Sequence, residues 1–376
     1  MVSLARKSLM REWPRYLPAI LAICFAGVLL FMQAALVLGI FGSAAVYVTT
    51  SSSDLWVGYP GTQSVNLGRS INADVEYLLR MDGNITAVEP LQWVDADWRS
   101  PQTSGGVSVY VIGINPNQDG LVFDQVLDAN VRQLLHEPGA VIVDRADLGQ
   151  LGVETGNWAL IDGKSVHVVA TASGLRPLGG VNIISSLDTA RQLTAGRDKT
   201  RATYWVAKLD DPKNADIVRK QLLSKPSFGS YEIWTASEFA LRSQFYWMGD
   251  TGAGVAVLFM AAIVLLVGLV VASQALMAVV ISSAREYATL NALGAGMAAL
   301  RRVVLEQAAW IGSIGLVFSI GVSTLLLSIA HSRDIPVSIT YQMILVWVGV
   351  VLGIALLSGL FAMRGLLRAD PALLLR

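Results

Sequence analysis

Cysteine is almost missing from this chain. Its one copy, Cys24, lies inside an apolar run, so neither a disulfide framework nor a cysteine-based metal site can form within one chain. Histidine is nearly as scarce. His136, His167 and His331 stand far apart in sequence, which argues against a histidine-rich metal centre. Charged residues make up only 15% of the 376 residues, and Lys+Arg and Asp+Glu balance at 28 each, so no global bias points to nucleic acid. There is no phosphate-binding loop either. Gly163-Lys164-Ser165 ends like one, but that motif needs a glycine five positions before Gly163, where Trp158 stands.

What the chain does have is apolar length. Hydrophobic residues are 53% of it and its mean hydropathy is positive, the composition of a membrane protein. No charged residue occurs from Tyr16 to Ser53 or from Thr251 to Ala284, and two more apolar stretches run from about Val303 to Ala330 and about Tyr341 to Met363. Each exceeds the roughly 20 residues that a spanning helix needs. The first run is too long for a signal-peptide core and lacks a clear small-x-small cleavage site, so it reads as a retained span.

Lys and Arg set the expected orientation. Arg6, Lys7, Arg11 and Arg15 precede the first span. Arg285, Arg301 and Arg302 lie between the second and third, and Arg364, Arg368 and Arg376 follow the fourth. The link between spans three and four offers only Arg333, beside Asp334. Both termini and the 282–302 loop are thus expected in the cytoplasm and the long middle segment outside. Trp13 with Tyr16, Tyr246 with Trp247, and Tyr341 with Trp347 read as interfacial aromatics.

The resulting division is 1–15, an amphipathic N-terminal helix; 16–53, span one and stalk; 54–248, an outer domain; and 249–281, stalk and span two. It continues with 282–302, a cytoplasmic segment; 303–330, span three; 331–340, a short outer loop; 341–363, span four; and 364–376, a cytoplasmic tail. A helix of about 35 residues would be on the order of 50 Å long against a core of about 30 Å, so spans one and two are expected to continue outward as a stalk. The alternative is a helix that ends near Gly39 or Gly42 and becomes a loop.

The outer segment reads as α+β. "VSVYVIGI" (107–114), "GAVIVD" (139–144) and "ATYWVAKL" (202–209) are strand-like, "NADIVRKQLLSK" (214–225) has helical periodicity, and "WALIDGKSVHVVATAS" predicts a hairpin turning at Asp162-Gly163. Asp95 and Asp97, around Ala96, could pair for acid–base work but fit the solvated face of an alternating strand better. His136 and His167 read as surface or hairpin residues, and no nucleophile–base constellation emerges. Asn84-Ile85-Thr86 fits a glycosylation acceptor, a pattern frequent by chance.

In the membrane half the strongest ionisable candidate is Glu306, beside Gln307 and one turn past Arg301-Arg302, where a carboxylate suits a helix N-terminus without any relay role. Gly312 and Gly315, and Gly349 and Gly353, suggest close helix packing within or between subunits. Four spans without a polar lining make a poor pore.

One polar island remains: "SSAREYATLNALGAG" (282–296), between spans two and three. Arg285-Glu286, Leu290, Ala292, Gly294 and Ala295 resemble the coupling segment of MacB/FtsX-like (type VII) ABC permeases, and "EYATLNALGA" looks most like the DevC branch. "LARKSLMREWPRYLPAILAI" (4–23), "VLEQAAWIGSIGLVFSIGV" (304–322) and "RGLLRADPALLLR" (364–376) are similar to that family's start, third span and tail.

The resemblance implies a homodimer in the bacterial inner membrane, four helices per chain, and an inserted periplasmic α+β domain of MacB-like type. It implies that ATP and Mg are bound by two copies of a separate ATPase subunit, so that this chain carries no cofactor and is not itself an enzyme. It further implies mechanotransmission: ATPase closure moves the periplasmic domain to drive a lipid or other amphiphile through an adaptor and outer-membrane channel. The alternatives are a non-transporting complex that activates a cell-wall enzyme or signalling partner, and a membrane enzyme or sensor. Arg285 and Glu286 would offer a charge pair to the ATPase, Tyr287 and Leu290 an apolar anchor, and Gly294 a helix stop, with Leu293 completing the coupling set. Without the resemblance, the same stretch reads as a plain loop in which Arg285 obeys the positive-inside rule.

Overall fold

The computed structural model describes residues 11–101, 105–193, 200–224, 230–283, 289, 296–333 and 335–368. The chain divides into two compact units, one of residues 1–39 with 255–376 and one of residues 40–254.

The inserted unit is built around a single long strand. Among the described residues nine strands form: β1 (Leu55–Gly58), β2 (Ile85–Arg99), β3 (Gly106–Ile114), β4 (Ala140–Asp144), β5 (Trp158–Ile161), β6 (Lys164–Ala172), β7 (Val181–Ser186), β8 (Tyr204–Leu209) and β9 (Glu232–Thr235). The C-terminal half of β2 pairs with β3 and, at Trp98 and Arg99, with β5. The remaining neighbours run β3–β7–β4–β6–β5, so six strands close into a ring. Alternate side chains fill that ring: Val94, Ala96 and Trp98 from β2, Val109 and Val111 from β3, Val141 and Val143 from β4. Period-two alternation puts the other set outside, and Asp95 and Asp97 are exposed there. The β5–β6 hairpin turns at Asp162 and Gly163, both at positive φ (49° and 79°), the geometry that an Asp-Gly pair favours.

The N-terminal half of β2 belongs to a second, antiparallel sheet, β2–β8–β1–β9. Both faces of this sheet are covered. Leu55, Val57, Trp205, Ala207 and Ile233 face a core under helices α2 (Asp74–Arg80) and α4 (Ala215–Ser224). Trp56, Tyr204, Val206 and Trp234 face Phe239 of α5 (Ala236–Phe245) together with residues 45–48, which precede β1. Trp234 and Phe239 stack at 4.5 Å. Helix α3 (Leu187–Leu193) packs on β3, where Gly113 lets Ala190 approach.

Among the described residues the other unit holds four long apolar helices. Helix α1 (Trp13–Gly42) tightens into a 3₁₀ turn at Ser43–Ala45 and ends in a last turn at Val46–Thr49. Helices α6 (Gly252–Ser282), α7 (Met297–Ser332) and α8 (Tyr341–Arg368) follow. The four candidate membrane spans are Trp13–Thr49, Gly252–Ser282, Arg301–Ser332 and Tyr341–Phe361. The chain is therefore a membrane protein with an inserted α+β domain.

The interfacial reading of the aromatics divides here. Trp13 and Tyr341 are exposed, but Tyr16 and Trp347 are buried in the bundle. Trp347 stands edge-on to Phe31 at 4.8 Å and its Nε1–H donates to Gly27 O at 2.9 Å. A backbone carbonyl inside the helix bundle gives the indole a partner that the headgroup region would otherwise supply.

Candidate functional site

The segment between α6 and α7 is framed by two short-range devices. At the end of α6 the hydroxyls of Ser282 and Ser283 both donate to Val279 O, at 2.8 and 3.0 Å, beside the backbone bond it accepts from Ser283 N at 3.1 Å. Ser282 Oγ also accepts from Arg15 Nε at 2.8 Å, and Arg15 Nη1 reaches Glu12 at 2.8 Å. Arg15 thus ties the start of α1 to the end of α6. On the far side, extended Gly296 precedes α7, and its carbonyl accepts from Ala299 N at 2.9 Å.

The sequence-predicted coupling residues Arg285, Glu286, Tyr287, Leu290, Leu293 and Gly294 lie outside the described residues. Thr289, among them in sequence, is helical and exposed.

One helical turn into the bundle, Gln307 Nε2 donates to Tyr16 OH at 3.4 Å, with both side chains buried. Neighbouring Glu306 remains partly exposed. Among the described residues no group of three or more His, Cys, Asp or Glu is arranged to hold a metal. The Arg15–Ser282 and Tyr16–Gln307 joints were not read from the sequence. The only signal was polar residues at the edges of apolar runs.

The glycines of the bundle fall into two sets. A Cβ on Gly312 would stand 2.8 Å from Ala355 Cβ, and one on Gly315 would stand 2.9 Å from Ile23 Cγ2. Gly349 and Gly353 have nothing within 4 Å of such a Cβ. A tighter approach is at Gly39, where an added Cβ would lie 2.1 Å from Pro336 O, in the link between α7 and α8. Ser338 N donates to Ala35 O at 3.1 Å and fixes that link on α1.

Residues 258–371, which run from α6 through α8, match the family model of the FtsX-like permease C-terminal domain. This part of the chain is an FtsX-like permease C-terminal domain. The match includes residues 284–295. The chain also resembles two solved structures. One is the periplasmic region of MacB from Actinobacillus actinomycetemcomitans, at 13% identity and TM-score 0.33, covering 50% of this chain and 92% of that one. The other is the extracellular domain of the noncanonic ABC-type transporter YknZ from Gram-positive bacteria, at 11% identity and TM-score 0.33, covering 48% of this chain and 99% of that one. No curated protein matches the sequence.

Proposed function

We propose that this FtsX-like permease is the membrane subunit of an export complex whose separate ATPase docks on residues 282–302 at the cytoplasmic face. The observation that carries the reading is the polar island inside the matched domain: two apolar helices are joined by a segment rich in docking chemistry, where a short turn would suffice. Arg285 and Glu286 complement charges on the ATPase, and Tyr287, Leu290 and Leu293 fill an apolar pocket on it. ATP and Mg are held by that partner. Closure of two ATPase copies pushes the segment, and α6, stapled to α1 through Arg15, carries the movement toward the periplasmic domain.

The working form is a homodimer. Gly349 and Gly353 leave room on α8 within one protomer, which suits close approach of a second copy. The cargo is a lipid or other amphiphile passed to a periplasmic adaptor and outer-membrane channel. Arg-rich ends place both termini inside. The regulatory alternative, activation of a periplasmic cell-wall enzyme, needs a smaller periplasmic domain than residues 54–248 supply.

The test is co-purification of the permease with its candidate ATPase, and the ATPase rate of the reconstituted pair. Glu286→Ala with Tyr287→Ala is expected to lose both association and coupled hydrolysis. Unchanged association and unchanged rate would remove the segment from the interface.

A further inference from the structure

The inserted domain holds a basic, aromatic depression that no part of the export reading uses. Two cavities, of about 120 Å³ and about 330 Å³, meet at Tyr59. Arg201 lines the first with Ser70, Asn72 and Tyr231, and Arg69 lines the second with Gln63 and Leu67. The Arg69 guanidinium lies over the Tyr59 ring at 5.4 Å.

Among the described residues both cations are uncompensated. Arg201 spends one N–H on Ser70 O at 3.0 Å, and among the described residues neither Arg201 nor Arg69 has a carboxylate partner. No acidic residue is among the described residues that line either cavity. Glu232, next to Tyr231 in sequence, is already committed: it accepts from Gly61 N, Arg242 and Trp234 Nε1, each at 2.8 Å. The Tyr231 hydroxyl is buried at the wall and, among the described residues, has no hydrogen-bond partner.

The loop that forms the floor is held rigidly, so the depression is preformed. Tyr204 OH donates to Val65 O at 2.7 Å, and a Cβ on Gly68 would fall 2.3 Å from that hydroxyl oxygen, so only glycine lets the loop pass over Tyr204. Ser243 Oγ of α5 accepts from Val65 N at 3.3 Å, and Trp247 Nε1 donates to Ser64 Oγ at 3.1 Å. The same loop is thereby bonded to α5 and to the π-helical turn Tyr246–Asp250 that precedes α6.

We propose that this depression binds an anionic group, a phosphate or carboxylate, between Arg69 and Arg201, with Tyr59, Ile71 and Leu67 receiving apolar atoms attached to it. The two guanidinium groups line adjoining cavities that share Tyr59, their fork geometry suits such oxyanions, and the Tyr231 hydroxyl adds a donor. The proposal rests on the inserted domain alone and stands apart from the export reading.

The full chain in dodecyl maltoside would be titrated calorimetrically with inorganic phosphate, octyl phosphate and, as an uncharged control, octyl glucoside. Octyl phosphate is expected to bind, and Arg69→Gln and Arg201→Gln are each expected to weaken it about tenfold, the cost of losing a charge-assisted hydrogen bond. Arg99→Gln, at the exposed C-terminal end of β2, is expected to leave binding unchanged. Equal binding of inorganic phosphate would identify a free anion as the ligand, and binding of octyl phosphate alone an amphiphile headgroup; both uphold the site. No binding of either phosphate, binding indifferent to Arg69→Gln and Arg201→Gln, or equal binding of octyl glucoside would overturn it. Tyr231→Phe gives a second check, with weaker octyl phosphate binding expected at an unchanged melting temperature.

Discussion

Asp147 has no exposed surface, yet it carries a carboxylate. It ends the turn after β4, with Arg176 Nε 2.9 Å away and Asp144 close by, itself held by Ala146 N and Leu175 N at 3.0 and 2.8 Å. Burial pushes its pKa up to about 6, against the pull of Arg176. The sign of the consequence follows. Between about pH 4 and 6 the folded state holds the proton that the unfolded chain has released, so this group makes stability fall as pH rises through that window. Asp147→Asn is expected to remove that slope. Urea unfolding at pH 4 and pH 7 should show the variant gaining on wild type by on the order of 2–3 kcal/mol. A constant difference across the window would refute the assignment. Nothing in the sequence marked Asp147, since an acidic residue before an apolar turn is ordinary. Asp95 and Asp97 were readable because alternation with Ala96 and Trp98 fixes their face. Tyr16 and Trp347 were misplaced because a polar aromatic near a helix end has two ways to satisfy its donor, and sequence does not choose between headgroup and neighbouring helix.

At the scale of elements, legibility followed how local the determining forces are. The β5–β6 hairpin was readable because Asp162-Gly163 sets its own turn. The four spans were readable because length against bilayer thickness is a one-dimensional property. Strands β1 and β9 went unread: Leu55–Gly58 and Glu232–Thr235 are four residues each, packed on both faces, and lack the alternation of a half-buried strand. The glycines show the same limit. Gly312 and Gly315 were singled out from spacing, whereas Gly39, in tighter contact than either, stands where spacing alone says little. Gly39→Ala is expected to push the Pro336 link off α1 and to cost about 1–3 kcal/mol, lowering the melting temperature in detergent by several degrees. Gly42→Ala, with nothing within 4 Å, is the matched control and should melt like wild type. Equal melting of both variants would contradict the close packing.

At the scale of the whole molecule, β2 is what organises the inserted domain: one half closes a six-stranded ring and the other opens a two-faced sheet. No local pattern announces that a 15-residue strand changes partners midway, so α+β was legible and the ring was not. The membrane unit reverses this balance, since hydropathy alone delivers its architecture. The candidate coupling segment is legible for a third reason: it is polar where its surroundings are apolar.

The export reading and its regulatory alternative both require that segment and the inserted domain to lie on opposite sides of the membrane. In a Cys24→Ser background, Ser108→Cys on exposed β3 and Thr289→Cys in the segment would be treated with a membrane-impermeant maleimide in intact spheroplasts. The account predicts labelling at position 108 without permeabilisation and at position 289 only after it. Labelling of both positions in intact cells, or of position 289 alone, would contradict it.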